Sequence, residues 1–140
     1  MNDQTIQALE PWAAAWRQYI VPHLPASGLS ALLSALKDDD PTLIQGSTTL
    51  PPPLLQTIGL PCEAGCAIAY ALWKGTPVDT VGEVERLFAA AVNASASNSM
   101  NGYNESRAFL NWFDDTPRPQ MIRELIPEVE LAIVNKSIPF

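Results

Sequence analysis

Apolar side chains recur at steps of three and four along most of this chain, the period of a helix with one buried face. Ile6, Leu9, Ala13, Trp16 and Ile20 form the first such stripe. Pro11 divides it, because a proline inside a helix removes a hydrogen bond and crowds the preceding turn. The pattern predicts a short turn and then a helix from near Glu10, with Pro11 in its first turn, where no donor is needed, and its end before Pro22. Pro22-His23-Leu24-Pro25 reads as a rigid connector. Ser27 is placed to cap a second helix with Leu29, Leu32, Leu33 and Leu36 on one side, stopping at Asp38-Asp39-Asp40-Pro41. Gly46 to Pro53 must be extended, since prolines and the residues before them favour polyproline II.

From Cys62 to Trp73 the one charge is Glu63, and small residues dominate. A helix apolar on every side is a buried one, so this run predicts a central helix over about 61–74, with Gly75 at its left-handed cap. Thr80 and Glu83 form a capping box that opens the next helix, carrying Val81, Val84, Leu87, Phe88 and Ala91. Asn93 to Asn104 is polar and without period, which predicts a flexible loop over about 93–104. Helix resumes near Glu105 with Phe109, Leu110, Trp112 and Phe113. Thr116 and Pro117 begin the last helix, whose stripe is Ile122, Leu125, Ile126, Val129 and Ile133, kinked or broken at Pro127; the apolar tail Ile138-Pro139-Phe140 docks on the body. Only Thr42–Ile44 and Leu131–Val134 have the character of short strands. The expected fold is all-α, a compact single domain over 1–140 with about five to seven short helices around the central one.

Composition narrows the function. At 140 residues the chain can bury a core without a disulfide or metal to hold it. Fifteen acidic residues against eight basic ones give a net charge of −7, which argues against nucleic acid and anionic membrane surfaces as partners. The longest nearly unbroken apolar stretch, Ala64 to Trp73, is about half the length a membrane-spanning helix needs. Met1-Asn2-Asp3-Gln4 has no basic start of a signal peptide, and two cysteines are too few for a secreted framework, so a cytoplasmic protein is expected. Charged residues are 16% of the chain, where about 25% is usual. With 47% hydrophobic residues, apolar surface is left after the core is filled.

Most of the reactive side chains have ordinary explanations. Cys62 and Cys66 fall one helical turn apart, where Cβ atoms stand about 5–6 Å from each other, too far for a disulfide. With His23 they make at most three zinc ligands of the usual four, so neither metal nor cofactor is expected. His23 has no nucleophile elbow and no acid behind it. The aspartate runs at 38–40 and 114–115 sit where helices end and Pro-led helices begin, as capping acids do. Glu63, at the start of the apolar helix, would either complement its N-terminus or be desolvated there, with a raised pKa.

The aromatic set is what exceeds a simple core. Trp12, Trp16 and Tyr19 recur at steps of four and three, offset from the aliphatic stripe, and Trp112 and Phe113 add to them. This pattern predicts a non-enzymatic interaction or regulatory module, a homodimer with a possible further protein partner, binding through an apolar-aromatic face. In that reading the Trp12→Gln, Trp16→Gln double variant stays folded and becomes a more soluble monomer. The alternative is a small-molecule binding protein or enzyme with a pocket among helices, its polar groups Glu63, Asp114 and Asp115 and its wall Trp112.

Overall fold

The computed structural model describes residues 10–97 and 102–137, the side chains of 95–97 and 102–105 aside. The fold is an all-α bundle, with six α-helices and one very small sheet among the described residues. The elements are α1 (Pro11–Ala15), α2 (Ala26–Asp38), β1 (Thr49–Leu50), β2 (Ala64–Gly65), α3 (Ala67–Gly75), α4 (Val81–Ser97), α5 (Gly102–Asp115) and α6 (Arg118–Ser137). None of the described helices is long and apolar enough to cross a membrane.

Pro11 stands in the first turn of α1, as its missing N–H requires. The helix does not stop before Pro22. It widens into a π turn at Trp16–Ile20 and tightens into a 3₁₀ turn at Val21–His23. A proline ring cannot sit over the carbonyl one α-turn earlier, and the widened turn takes the chain past that clash. Ser27 does not cap α2, which starts one residue before it; its hydroxyl donates instead to the Gly75 carbonyl at 3.3 Å. Asp39 closes α2 in the left-handed conformation, with φ of 51°. Asp40 then folds the chain back, its Oδ1 accepting from the Thr42 N–H at 2.8 Å and hydroxyl at 2.7 Å. Those bonds, the backbone one first, hold the Asp40 carboxyl below its ordinary range.

The central helix is shorter than the apolar run. Residues 61–66 are extended, and β2 pairs antiparallel with β1, Thr49 opposite Gly65 and Leu50 opposite Ala64. Their backbone groups are spoken for by other segments: Cys62 N–H by the Asp79 carbonyl at 2.7 Å, Gly65 N–H by Thr42 at 2.9 Å, Cys66 N–H by Thr48 at 2.9 Å. Buried extended chain and buried helix are equally apolar, so the run alone could not separate them. Leu43 adds an isolated bridge to Gly65, which is all that remains of the expected strand at 42–44. Leu131–Val134 lies within α6.

Gly75 has no left-handed conformation. Its role is close packing: a Cβ there would meet Pro25 Cγ at 2.5 Å and the Gly28 backbone nitrogen at 2.7 Å. Gly28 faces α3 in the same way, with a Cβ position 1.9 Å from the Ala71 carbonyl oxygen. Helices α2 and α3 therefore touch backbone to backbone, and α3 is buried from Ala67 to Leu72. The core around them includes Leu29, Leu32, Leu36, Ile68, Phe109, Phe113, Met121 and Leu125.

The capping box at the start of α4 forms as expected, Thr80 N–H to Glu83 Oε1 at 3.2 Å and Glu83 N–H to Thr80 Oγ1 at 3.3 Å. The Asp79 and Thr80 N–H groups hold the Glu83 carboxyl below its usual range. Helix α4 then runs on to Ser97 and α5 begins at Gly102, so most of the expected loop over 93–104 is helical. Residues 98–101 lie outside the described residues. Hydrophobic period reports burial rather than helicity, and a helix running past its core loses the signal while keeping its backbone bonds. Helix α6 continues through Pro127 without a break. Arg17 pairs with Glu128 through two bonds of 2.8 and 2.7 Å, and Arg118 binds Asp39 at 2.6 Å and the Asp40 carbonyl at 2.9 Å, fastening α6 to the first half of the chain. The tail at 138–140 also lies outside the described residues.

Candidate functional site

Two surfaces stand out, one polar and concave, the other apolar and projecting. The first is a cleft of about 490 Å³ between α4, α5 and the irregular segment 46–48 that leads into β1. One side is α4, with Glu85, Phe88, Ala89, Val92 and Asn93; the other is α5, with Arg107, Leu110, Asn111 and Asp114. Each set falls on one helical face, at steps of three and four. The connecting segment is sewn to both. Gln45 Nε2 donates to the Phe113 carbonyl at 2.6 Å and the Thr116 carbonyl at 2.8 Å, satisfying the end of α5. The Gly46 N–H donates to Asp114 Oδ1 at 2.8 Å, with Gly46 at φ of 90°, a conformation that suits glycine. Thr49, itself buried, donates its hydroxyl to Glu85 Oε2 at 2.7 Å.

Cys66 contributes to the lining and is only 3% exposed. Burial pushes its thiol up to about 12, and burial raises Cys62 as well. Both are free and buried thiols, and neither is a thiolate nucleophile at neutral pH. They lie on extended chain rather than on one helical face, which removes the expected one-turn pairing. A thiol reagent at pH 8 is expected to leave the native protein unmodified and to add twice per chain after denaturation, as read by intact mass. Labelling of Cys66 in the native state would mean that the floor of the cleft opens.

The second surface is the segment from Leu50 to Leu60. Leu55 is 93% exposed, and Leu50, Leu54, Ile58 and Leu60 are between 40% and 52% exposed. The segment is not loose. The Thr57 hydroxyl donates to the Pro52 carbonyl and accepts from the Leu54 N–H, and the Ile58 N–H bonds Leu54 at 2.9 Å. Its carbonyls in turn serve the first N–H groups of α4, Val81 to Leu60 at 2.9 Å and Gly82 to Ile58 at 2.8 Å. Helix starts leave such donors without partners, so the projection and α4 stabilise each other.

Of the binding candidates Trp12, Trp16, Tyr19, Glu63, Trp112, Asp114 and Asp115, the structure brings Asp114 alone into the cleft, beside the buried Cys66. Glu63 is exposed on extended chain beside the projection, its N–H bonded to the Leu50 carbonyl at 2.8 Å. It is neither at a helix N-terminus nor desolvated, since Cys66 precedes α3. Asp115 is exposed and outside the lining. Trp112 is half-buried, stacked on Trp12 with ring centroids 3.6 Å apart and planes 5° from parallel. Trp12 and Trp16 are core residues, 8% and 0% exposed, and Trp16 stacks on Phe109 at 5.0 Å. The surface stripe expected of Trp12 and Trp16 is thereby replaced by an internal aromatic stack; Tyr19 is half-buried beside it in sequence. His23 is half-buried in the 3₁₀ turn.

The cleft's other residues carried a readable signal: Arg107, Asn111 and Asp114 share a face of α5 by spacing alone. For the projection the signal was an eleven-residue run with five large aliphatics, three prolines and no charge. No group of three or more His, Cys, Asp or Glu able to hold a metal assembles among the described residues. Comparison of the chain with protein-family models, curated proteins and solved structures gave no match.

Proposed function

We propose that this protein is a non-enzymatic interaction module whose docking element is the Leu50–Leu60 projection. The observation that carries the reading is Leu55, a leucine held 93% exposed by a hydrogen-bonded turn. Burying such a side chain is worth about 1.5–3 kcal/mol, so leaving several in water is favourable only if a partner covers them. The turn is pre-formed, which lowers the ordering cost of binding.

The surroundings suit a different protein better than a second copy. Glu63 and Asp79 are exposed; the Glu63 N–H bonds the Leu50 carbonyl of the projection, and the Asp79 carbonyl accepts from Cys62, two residues past its end; Glu83 follows on α4, with Arg86 beyond it. An acidic rim around an apolar centre complements a groove edged with Lys and Arg, while two copies, each at −7, would set acid against acid. Two buried free thiols fit a reducing cytoplasm as the place of action.

A photo-crosslinking residue in place of Leu55 tests this in cells. The expected adduct is with another protein, its cross-linked peptide in an apolar groove bordered by basic residues. The complex reconstituted from that purified protein should weaken with salt and be lost in the Leu54→Ser, Leu55→Ser double variant, whose melting temperature stays within about 2 °C of the parent because both side chains are exposed. Adducts only between copies would make the surface a homodimer interface instead, and no adduct would remove the docking role.

A further inference from the structure

The projection is built as one capped helical turn. The Ile58 N–H donates to the Leu54 carbonyl at 2.9 Å, the α-type bond that closes the turn, and the Thr57 N–H reaches the same oxygen at 3.0 Å. The Thr57 hydroxyl reaches back to accept from the Leu54 N–H at 2.9 Å, as the third residue of a helix does in a capping box, and donates to the Pro52 carbonyl. A first helical turn fixes three residues for one hydrogen bond, so alone it is unfavourable, with a nucleation constant of about 10⁻³. This turn is also seated on α4. The Ile58 and Leu60 carbonyls take the Gly82 and Val81 N–H groups, and a Cβ on Gly82 would meet Ile58 Cγ1 at 2.6 Å and the Ile58 carbonyl oxygen at 3.0 Å. Glycine at 82 is what lets the turn lie so close to the helix.

That geometry limits how a partner can read the segment. Three of its residues are prolines, without an N–H, and the N–H groups of Leu54, Thr57, Ile58 and Leu60 are already bonded inside the segment. Pairing with an extended strand of a partner would require those bonds to break. What the turn offers outward is side chain: Leu54, Leu55 and Ile58, at positions i, i+1 and i+4, are all exposed, Leu55 almost fully. Resting on the docking role proposed above, we infer that the projection is read as a pre-formed helical turn, these three side chains entering the partner's apolar groove together, and that Thr57 and Gly82 are its positioning residues. Thr57 holds the turn closed from within, and Gly82 seats it on α4. A turn already formed in the free protein spares the partner the cost of ordering it.

Thr57→Val removes the hydroxyl and keeps the shape, Thr57→Ser keeps the hydroxyl, and Gly82→Ala adds the methyl that would meet Ile58. The probe is a benzophenone side chain in place of Leu55, its adduct measured in cells, beside amide hydrogen exchange of the purified chain. Thr57→Val is expected to speed exchange at Leu54 and Ile58 about tenfold, the scale of one lost hydrogen bond, and to lower the yield of the parent's adduct by a similar factor. Its melting temperature should stay within about 2 °C of the parent, because the turn lies outside the core. Gly82→Ala should lower the adduct in the same way, and Thr57→Ser should restore the parent's values in both measurements. Unchanged exchange in Thr57→Val, or no recovery in Thr57→Ser, would overturn the positioning role while leaving docking intact. Faster exchange with an undiminished adduct would show that the partner reads an open chain, and would overturn the pre-formed turn as the docked form. Absence of any adduct in the parent itself would remove the docking role and the positioning role with it.

Discussion

Gly28→Ala is expected to cost about 3 kcal/mol or more, enough to unfold a domain of ordinary stability at moderate temperature. The added methyl would stand 1.9 Å from the Ala71 carbonyl oxygen, 2.7 Å from its carbonyl carbon and 3.1 Å from its Cα. All three are backbone atoms within α3, so no side chain can turn aside. Helices α2 and α3 would have to separate, opening the packing of Leu29, Leu32 and Ile68, all essentially inaccessible to water. Urea denaturation followed by helical circular dichroism measures the loss. Gly59→Ala is the matched control, since nothing lies within 4 Å of its Cβ position and its φ is not positive. It should fall within about 0.5 kcal/mol of the parent. A Gly28→Ala protein that unfolds with the parent would show that α2 and α3 do not meet at their backbones.

The architecture was largely legible because burial leaves a period in the sequence. Leu29, Leu32 and Leu36 are the buried face of α2; of the stripe read for α6, Leu125 and Val129 are buried, while Ile122, Ile126 and Ile133 are half-buried and Met121 and Ala132 take the inner positions. Thr80 and Glu83 announced a helix start by side-chain chemistry that acts locally, so no tertiary partner had to be guessed. The failures share a cause. Apolar content points residues 61–66 to helix and its absence points the end of α4 to loop, whereas their conformations are decided by where backbone N–H groups find acceptors. The position of Gly75 suggests a helix cap, but its reason for being glycine lies across the packing in Pro25 and Gly28.

The candidate sites were less legible, for a related reason. Trp12, Trp16 and Tyr19 exceed one core contact by spacing, and the two tryptophans are absorbed internally by Phe109 and Trp112 on α5. Sequence spacing shows which side chains share a face but not what faces them. The apolar surface left over by composition exists, and it was displaced to a segment whose prolines prevent it from folding back as a helix. Asp114 is recognisable as a polar group near helix ends; the other carboxylate lining the cleft, Glu85, sits in the second turn of α4, past any capping position.

The Trp12→Gln, Trp16→Gln double variant is accordingly expected to unfold rather than to become a more soluble monomer. Replacing a buried tryptophan by a small side chain costs about 3–5 kcal/mol, and an amide in the vacated space adds the cost of an unsatisfied polar group. Trp16 is fully inaccessible, and its indole Nε1 already lacks a hydrogen-bond partner among the described residues. Trp16→Phe removes that donor while keeping a ring against Phe109, so it should cost a fraction of what Trp16→Ala costs. Leu55→Gln supplies the opposite limit, an equally apolar side chain whose loss should leave the unfolding midpoint unchanged. The order of midpoints, Leu55→Gln above Trp16→Phe above Trp16→Ala, with the double glutamine variant unfolded at 25 °C, separates packing from docking. A folded double variant would return Trp12 and Trp16 to the surface and the interaction to α1. Loss of stability at Leu55 would make the projection part of the core.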